Sequence, residues 1–473
     1  MKVSLIPLWL VNCVCAVLAQ VPGTFTTTGE MTSPRAGHTA TLLYDGKVLI
    51  VGGQSGIHPA NVLTTDELYD PSSGSFTAIA NTISPHAGHT ATLLPDGTVL
   101  IAGGTDNYAA LASAEIYDPA TRTFTAAGSM TTPRVFPTAT LLSSWKVLIA
   151  GGINGRTLAS AELYDPSTRT FTPTGDMTMS RVSHTATMLP NGKVFIAPGD
   201  DGDDWQSAEV YDPNTGTFST AEWGAKNLTA ATANLLPNGN ILFTLQPPEG
   251  DFASDAAALY SSSAGTFTPT APLLYARYLA TGVTLSDGSV LVTGNYLGDC
   301  TGASSAEIYD ATAGTLSSAG SMITGRNRHP ATLLNDGSVL ITGGLTPGRC
   351  QPAALLASAE LYHPVAVAAA PVLIPGAILH AGTHRMVSAG DPAAAGEALE
   401  IYGTGLIDDG VIPPQVAVGG RLAEVLYFGK APGFAGLNQI NIRVPAGVAP
   451  WPVVPVRLTY LGRHSNEVTI GIH

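Results

Sequence analysis

The stretch from Gly88 to Gly104 recurs along most of this chain, and it restricts the folds that the chain can adopt. Its first part, His89 to Leu94, predicts a short strand. Pro95-Asp96-Gly97 follows, and Asp-Gly between two apolar runs predicts a β-hairpin because glycine adopts positive φ without penalty. The run Val99 to Ala102 is apolar at every position, which predicts a strand covered on both faces. Gly103-Gly104 ends that strand where the backbone must bend or lie close to a neighbour.

Two further strands complete the unit. Ser113 to Asp118 predicts a third strand, which Pro119 ends, and Arg122 to Thr125 predicts a fourth. One repeat is therefore predicted to be a four-stranded antiparallel sheet.

Copies of this unit follow one another at a spacing of roughly 47–51 residues, which is close to the period of about 50 known for kelch repeats. The position that opens the first strand is occupied in turn by His38, His89, Pro137, His184, Ala231, Ala280 and His329. The turn is Asp-Gly or Asn-Gly in every copy except the third, which has Ser144-Trp145, and Glu-Leu-Tyr-Asp-Pro or a variant of it recurs on the third strand. Taken together, these landmarks resemble kelch repeats. The resemblance implies an all-β fold, a seven-bladed kelch-type β-propeller over residues 21–364.

The two ends of this region complement each other. The last copy stops at Tyr362-His363-Pro364 without a fourth strand, and the missing piece stands before the first copy as Gly23-Thr24-Phe25-Thr26. We expect this N-terminal strand to complete the last blade and close the ring, which removes two exposed sheet edges.

The N-terminus and the overall charge bear on location and partners. Residues 1–19 predict a secretory signal peptide, with Lys2, an apolar run and Val17-Leu18-Ala19 as the cleavage site. The alternative is a lipoprotein signal at Cys13, which the preceding Asn12 fits poorly. We therefore expect a secreted or cell-surface protein without a transmembrane segment after cleavage. The net charge of −14 argues against nucleic acid as a partner.

Two cysteines, Cys300 and Cys350, remain in the mature chain, each in the loop after the second strand of adjacent blades. Equivalent loops of adjacent blades lie close together, and exported chains meet oxidising conditions. We expect a disulfide between them; the alternatives are free thiols or metal ligands, although no residues at ligand spacing accompany them.

The C-terminal part changes in composition. Residues 365–380, rich in Ala, Val and Pro, are predicted as a linker, and residues 381–473 as short alternating strands of a small β-sandwich. Gly436 to Asn441, Val444-Pro445 and Ser465-Asn466 resemble the immunoglobulin-like (IPT/TIG, or E-set) domains of exported bacterial proteins. That resemblance implies a structural or docking module.

Features that most blades share are predicted to be architectural, and features of a single blade are better functional candidates. The recurring first-strand histidine is interpreted as a hydrogen bond to a neighbouring strand, with a metal or catalytic ring as the alternative. The loops that lead into the blades carry a second recurring set. One hypothesis is a basic rim that binds an acidic peptide or a sugar acid, because arginine pairs with carboxylates in a bidentate manner. The alternative is an inter-blade ion pair with the glutamate of the third strand, which the fifth blade lacks together with its arginine. The set is Arg35, His86, Arg134, Arg181, Arg277 and Arg326.

Single-blade features add further candidates. The aromatic residues Tyr108, Trp205 and Tyr296 stand in variable loops and are candidates for stacking on a sugar or anchoring a peptide. Trp145, in place of a turn glycine, is either a surface anchor or a neutral substitution. The loop with Asp200, Asp201, Asp203 and Asp204 is either a calcium site or a solvated acidic loop.

A kelch-like propeller followed by a β-sandwich is also similar to the galactose oxidase and glyoxal oxidase family. That family's radical copper site implies a Cys cross-linked to a Tyr, and a Tyr-His pair at the start of a first strand. Here the residues before the first-strand histidines are Gly37, Gly88, Ser183 and Arg328, so the copper chemistry is not supported. The sequence therefore predicts an exported, non-catalytic protein that recognises a protein or a glycan through one mouth of the propeller, with no cofactor and no metal. The alternative is a carbohydrate-active or galactose oxidase-like enzyme.

Overall fold

The structure is a computed structural model. It describes residues 23–56, 61–199, 207–225, 227–248, 253–295, 304–347, 353–365, 371–406, 413–432, 434, 436–460 and 463–473. Strands and turns make up these residues, and none of them belongs to a helix. Accordingly, this part of the chain offers no helix of the length and apolarity needed to cross a membrane.

Seven four-stranded antiparallel sheets, which we call blades, follow one another along the described residues from Thr24 to His363. Blade one consists of β2 (Thr39–Leu42), β3 (Val48–Val51), β4 (Glu67–Asp70) and β5 (Ser75–Ala78), and blade two of β6 (Thr90–Leu93), β7 (Val99–Ala102), β8 (Ser113–Asp118) and β9 (Thr123–Ser129). Blade three consists of β10 (Thr138–Leu141), β11 (Val147–Ala150), β12 (Ala161–Asp165) and β13 (Thr170–Pro173), and blade four of β14 (Ala186–Met188), β15 (Val194–Ile196), β16 (Ser207–Asp212) and β17 (Thr217–Glu222). Blade five consists of β18 (Thr229–Leu235), β19 (Ile241–Gln246), β20 (Ala257–Ser261) and β21 (Thr266–Pro269). Blade six consists of β22 (Thr281–Thr284), β23 (Val290–Thr293), β24 (Ser305–Asp310) and β25 (Thr315–Ser321). Blade seven consists of β26 (Ala331–Leu333), β27 (Val339–Thr342), β28 (Ala359–His363) and the N-terminal β1 (Thr24–Thr27).

The first strands of the blades form the inner wall of a ring. Each first strand contacts that of the next blade, and β26 of the last blade contacts β2 of the first. The second strands are largely apolar and buried, as expected from the continuous runs such as Val99 to Ala102, and only Gln246 at the end of β19 is half-buried among them. The cores lie between neighbouring blades, where for instance Leu100 and Ile116 of blade two share one cluster with Ile149 of blade three. The chain is therefore a β-propeller.

The paired glycines allow neighbouring blades to approach. A Cβ atom on Gly52 of blade one would lie 2.1 Å from the carbonyl oxygen of His86, in the loop that leads into blade two. A Cβ atom on Gly103 of blade two would lie 2.6 Å from the carbonyl oxygen of Arg134, in the loop that leads into blade three. Both glycines also have positive φ, 59° and 69°. A side chain at either position would push two blades apart.

The N-terminal strand closes the ring, which confirms the prediction from the split last repeat. β1 pairs antiparallel with β28, with Thr24 opposite His363 and Thr27 opposite Glu360. The ring of Phe25 packs on that of Tyr362 with centroids 5.0 Å apart. The corresponding pair in blade one, Tyr69 and Phe76, has nearly the same separation of 4.8 Å. Two segments that lie far apart in the sequence thus form one ordinary blade.

Two further antiparallel sheets follow the ring. The first has the order β29 (Val372–His380), β30 (Ala398–Thr404), β34 (Asn438–Arg443) and β33 (Glu424–Lys430). The second has the order β32 (Arg421–Leu422), β31 (Gln415–Val418), β35 (Trp451–Tyr460) and β36 (Arg463–His464), and β37 (Val468–Ile472) pairs with β35. Residues of both sheets, among them Ile401, Ile440, Val456 and Ile470, share one hydrophobic core. The C-terminal part is therefore two sheets packed around a common core.

The predicted linker at residues 365–380 is wrong in its second half. Val372 to His380 form β29, which pairs with β30 from Val372 opposite Thr404 to His380 opposite Leu399. The Ala-, Val- and Pro-rich composition suggested a linker, but the strand accommodates Pro375 by a shift of register between Leu373 and Ile378. Such an irregularity leaves the extra residues unpaired without ending the strand.

We predict that removing β1 opens the ring. A chain shortened to start at Gly29 loses one strand of the last blade and the contact of Phe25 with Tyr362, so we expect a loss of about 3 kcal/mol or more in the free energy of unfolding. It also exposes the edge of β28, which favours aggregation. Urea denaturation compares this chain with a control that starts at Gly23. Equal midpoints would show that β1 does not hold the ring closed.

Candidate functional site

The central channel of the ring has two different ends. At one end lie the turns between first and second strands, and there the C-terminal sheets cover the ring. The guanidinium of Arg457 lies 5.0 Å over the ring of Tyr44, and a Cβ atom on Gly420 would lie 3.2 Å from Cα of Asp96. At the other end lie the loops that lead from one blade into the next and the loops between second and third strands. We call this end the open mouth.

A cavity of about 1380 Å³ occupies the covered end of the channel. Its wall is largely apolar, with Leu42, Met188 and Leu235 from the ring and Val444 from the C-terminal part. Among its lining residues the ionic side chains are Glu424 and Arg443, and Arg443 Nε donates to Glu424 Oε2 over 2.9 Å. The described wall of the cavity therefore offers no charge that lacks a partner.

The predicted basic rim is wrong, because the structure buries its residues. The arginines are at most 1% exposed and His86 is fully buried, so none of them is accessible to a ligand in solution. Each contacts the third-strand glutamate of the blade that its loop leads into, within 2.6–3.1 Å. The alternative, an ion pair with the third-strand glutamate, is confirmed in its partners, but the pair joins a loop to the blade that it leads into and not two neighbouring blades. The pairs are Arg35–Glu67, His86–Glu115, Arg134–Glu162, Arg181–Glu209, Arg277–Glu307 and Arg326–Glu360.

Blade three shows how this pair, which we call the loop clamp, fastens the loop. Arg134 donates to the carbonyl oxygens of Gly151 and Ser160, both over 2.8 Å, and to Oε1 of Glu162. The carboxylate of Glu162 also accepts the backbone N–H groups of Thr131 and Thr132 at 2.7 and 3.1 Å. Burial lowers the pKa of Arg134, and the charge of Glu162 opposes that shift. The loop clamp thus fixes the backbone of the open mouth.

Blade five replaces the loop clamp with apolar packing. Leu228 and Ala258 take the positions of the arginine and the glutamate, and an aromatic cluster lies beside them. The ring of Trp223 packs edge-on against Phe243 and Phe267, with centroids 5.2 and 4.9 Å apart. An apolar core can replace a buried ion pair only when both charges are removed together.

The sequence reasoning missed a buried acid in blade one. Asp66 is 1% exposed, and it stands where the other blades have alanine. Its carboxylate accepts the N–H groups of Gly52 and Thr82 at 2.9 and 2.6 Å. Burial raises the pKa of Asp66 to about 6. Comparison of the repeats position by position could have identified this residue.

The four first-strand histidines hold neighbouring blades together, as predicted. In each, Nε2 is hydrogen-bonded over 2.9–3.0 Å to a threonine hydroxyl of the preceding blade. Burial lowers the pKa of all four, to about 3 for His184 and His329 and well below the usual range for His38 and His89. These imidazoles are neutral and bonded, which does not suit a ring of catalytic groups. The partners are Thr342, Thr39, Thr138 and Thr293 for His38, His89, His184 and His329.

The residue before the first strand forms the entrance of the channel. In six blades this residue has a left-handed backbone with φ between 51° and 64°. Neighbouring blades are linked here, since the N–H of Gly88 points to the carbonyl of Gly37 at 3.5 Å and that of Phe136 to Gly88 at 2.7 Å. Only glycine adopts this backbone without strain. The side chains at the other four positions therefore stand at the entrance at a conformational cost. The six residues are Gly37, Gly88, Phe136, Ser183, Leu279 and Arg328.

Exposed apolar side chains stand in the loops that lead to this entrance. Ile83, Leu274 and Ile323 hold the same position, three residues before the residue that forms the loop clamp, and are 64, 53 and 56% exposed. Their N–H groups donate to the glutamate of the loop clamp at 2.6–2.8 Å, which turns the side chains outward. Tyr275 and Phe136 add 44 and 47% exposed rings. We call Leu274, Tyr275 and Ile323, which lead into the adjacent blades six and seven, the apolar rim.

Of the predicted loop aromatics, the structure describes one. Tyr108 lies in the loop between β7 and β8, at the open mouth, and is 94% exposed. Trp205 and Tyr296 lie outside the described residues, as do Cys300, Cys350 and the acidic loop at Asp200, Asp201, Asp203 and Asp204. The predictions about them stand untested.

We predict that the loop clamp is a major source of stability. Glu162→Gln leaves the charge of Arg134 buried without its carboxylate, which costs about 3–5 kcal/mol of the free energy of unfolding. The double variant Arg134→Leu/Glu162→Ala, which copies blade five, is expected to recover part of that loss in urea denaturation. In the control, Lys146→Met breaks the exposed contact of Lys146 with Asp165 at 3.5 Å and costs less than about 1 kcal/mol. Equal losses in E162Q and K146M would contradict the role of the loop clamp.

We also predict that the ring loses stability in acid. Buried His184 and His329, whose pKa values are about 3, stay neutral in the folded state when the pH falls below 6.5, while the unfolded state takes up protons. Folding then becomes less favourable by about 2 kcal/mol per histidine between pH 7 and pH 5. Urea denaturation at both pH values should show a smaller difference for His184→Gln than for the parent. An unchanged difference would mean that His184 is not held neutral.

Comparisons with known proteins agree with this fold. Residues 88–131 and 146–178 match the kelch motif, and no curated protein matches the chain. A solved structure described as a novel fungal alcohol oxidase with catalytic diversity among the AA5 family, in complex with copper, is similar with a TM-score of 0.66. The similarity covers 96% of this chain and 100% of that one, at 16% sequence identity, and identity this low supports a shared fold alone.

The described residues at the channel entrance do not fit a copper site. The six left-handed entrance residues supply no imidazole, phenol or thiolate. The first-strand histidines behind them are buried and bonded to threonines. Across the part of the chain that the structure describes, no cluster of three or more His, Cys, Asp or Glu side chains could hold a metal. The motif match and the shared fold together support a kelch-type β-propeller, and its open mouth carries exposed apolar and aromatic side chains.

Proposed function

We propose that this chain is an exported, non-catalytic binding protein that recognises a protein or a glycan at the open mouth of its propeller. The observation that carries the proposal is the set of exposed apolar side chains on loops that the buried loop clamps hold rigid. Leu274 and Ile323 are more than half exposed although their backbones are fastened to Glu307 and Glu360. Binding residues on loops over a rigid scaffold are the usual arrangement of recognition sites.

The position of the C-terminal sheets supports the open mouth as the place where the ligand binds. The C-terminal sheets occupy that end through contacts such as Arg457 on Tyr44, which leaves the open mouth to ligands. A grouping of exposed apolar residues typically marks an interaction site. Export is proposed from the signal-like residues 1–19, and for the C-terminal sheets the immunoglobulin-like character suggests a docking or structural module.

An enzyme is the alternative function, either carbohydrate-active or similar to galactose oxidase. The fold likeness favours it, whereas the donor groups at the open mouth do not. Metal analysis of the purified mature protein, with a peroxide assay on galactose and glyoxal, separates the two functions. Stoichiometric copper with peroxide release would overturn the binding proposal.

We predict that two substitutions at the apolar rim weaken ligand binding. The mature protein is applied to arrays of peptides and of glycans, and its best array ligand is then measured in solution. Leu274→Asp/Ile323→Asp is expected to lower the affinity for that ligand by about tenfold or more. The reason is that charges replace apolar contacts, which usually contribute most at the centre of an interface. Val453→Asp is the matched control, since Val453 is 57% exposed on the C-terminal part. Equal affinities of parent and double variant would place the ligand elsewhere.

A further inference from the structure

We propose that Arg328 is the specificity residue of the open mouth and that it receives a carboxylate from an acidic segment of a partner protein, with apolar partner residues on the apolar rim. The inference rests on the proposed function and names the ligand chemistry of the same site. It makes a distinct claim, because the open mouth could bind a partner without using Arg328.

Arg328 holds a position where the backbone favours glycine. Its φ is 51°, and blades one and two have Gly37 and Gly88 at the corresponding places. A long side chain in this region is strained, and such strain is concentrated at functional sites. The two blades with glycine show that the entrance can be built without a side chain here. Structure alone therefore does not require arginine at residue 328.

The charge of Arg328 is available to a ligand. The side chain is exposed, and no described residue forms an ion pair with it. Each arginine of the loop clamps, by contrast, is buried against its glutamate. In a chain with a net charge of −14, a cation without a partner at a channel entrance is a local reversal of charge. It attracts anions, and the planar guanidinium matches a carboxylate.

Space adjoins Arg328 on one side. The N–H of Gly37 points to the carbonyl of Arg328 at 3.5 Å, so the two residues are neighbours around the entrance. A Cβ atom built on Gly37 would meet nothing within 4 Å. Beyond it, Gly88 is covered by the ring of Phe136. The surface at Gly37, between Arg328 and Phe136, is therefore uncovered and leaves room for a ligand group beside Arg328.

The apolar rim favours a protein over a glycan. Ile323 is five residues before Arg328 in the same loop, and Leu274 and Tyr275 hold the matching place of the adjacent blade six. Exposed Ile and Leu side chains suit aliphatic and aromatic partner side chains, whereas sugars present hydroxyl groups that such residues cannot pair. A carboxylate flanked by apolar side chains complements the cation and the apolar rim together.

The test uses a phage-displayed library of random peptides selected on the mature protein. We expect selected peptides to share an Asp or Glu beside apolar residues. A synthetic consensus peptide should bind Arg328→Gln at least about tenfold more weakly than the parent, since a bond between two charged groups is lost. Binding to the parent should weaken between 50 and 500 mM salt, and binding to R328Q should not.

Two variants provide the controls. Arg169→Gln removes an exposed arginine that also has a left-handed backbone, φ 56°, but lies in a turn at the other end of its blade; we expect less than a twofold change in affinity. Arg328→Gly places glycine where the backbone favours it. The melting temperature of this variant should therefore be no lower than that of the parent, while its binding of the consensus peptide should be lost. Loss of binding in R328G without loss of stability would exclude misfolding as the cause.

The remaining outcomes separate the two proposals. Peptides that lose binding in Leu274→Asp/Ile323→Asp but not in R328Q would overturn the role of Arg328 and leave the proposed function standing. Peptides indifferent to both variants would overturn both proposals. Binding of an acidic glycan such as polygalacturonate that depends on Arg328, with no peptide selected, would overturn the protein partner in favour of a sugar acid.

Discussion

The buried ion pair between a loop arginine and a third-strand glutamate is the interaction on which the loops of the open mouth depend. In blade three one guanidinium and one carboxylate form hydrogen bonds with two carbonyl oxygens and two N–H groups of the backbone. An unsatisfied buried group costs about 1–3 kcal/mol, more when it is charged. Loss of one partner alone therefore leaves the other charge buried without its counterion. Blade five, with Leu228 and Ala258, departs from both at once and fills the space with aromatic rings.

This arrangement separates structure from recognition within a single loop. The side chain of the arginine points inward and is inaccessible to solvent. The residues two and three positions before it donate their backbone N–H groups to the glutamate and turn their side chains outward. Those outward positions are free to differ between blades. The same holds at the channel entrance, where a left-handed backbone is common to six blades but the side chain ranges from none at Gly37 to a guanidinium at Arg328. A repeated framework thus presents a non-repeated surface.

Much of the fold could be predicted because its determinants are local and repeated. Asp-Gly turns, the apolar run Val99 to Ala102 and the Glu-Leu-Tyr-Asp-Pro strand each specify an element within a few residues, and the split last repeat indicated ring closure, which β1 and β28 confirm. The interpretation of the first-strand histidines also succeeded, because a residue shared by several blades has to serve what the blades share. The linker prediction was wrong at Val372 to His380 because a composition rich in Ala, Val and Pro does not reveal strand pairing, and only the pairing with β30 shows that these residues form a strand.

The sequence by itself determined the number of blades, the order of their strands and the closure of the ring, since periodicity and turn chemistry act over short distances. It placed arginines in the mouth loops but could not tell whether they face water or a glutamate some thirty residues away. Only the tertiary structure decided that, because burial depends on which segments meet across a blade. For the same reason the apolar rim and the uncovered charge of Arg328 became visible only in the folded ring, where residues from separate repeats stand around one entrance.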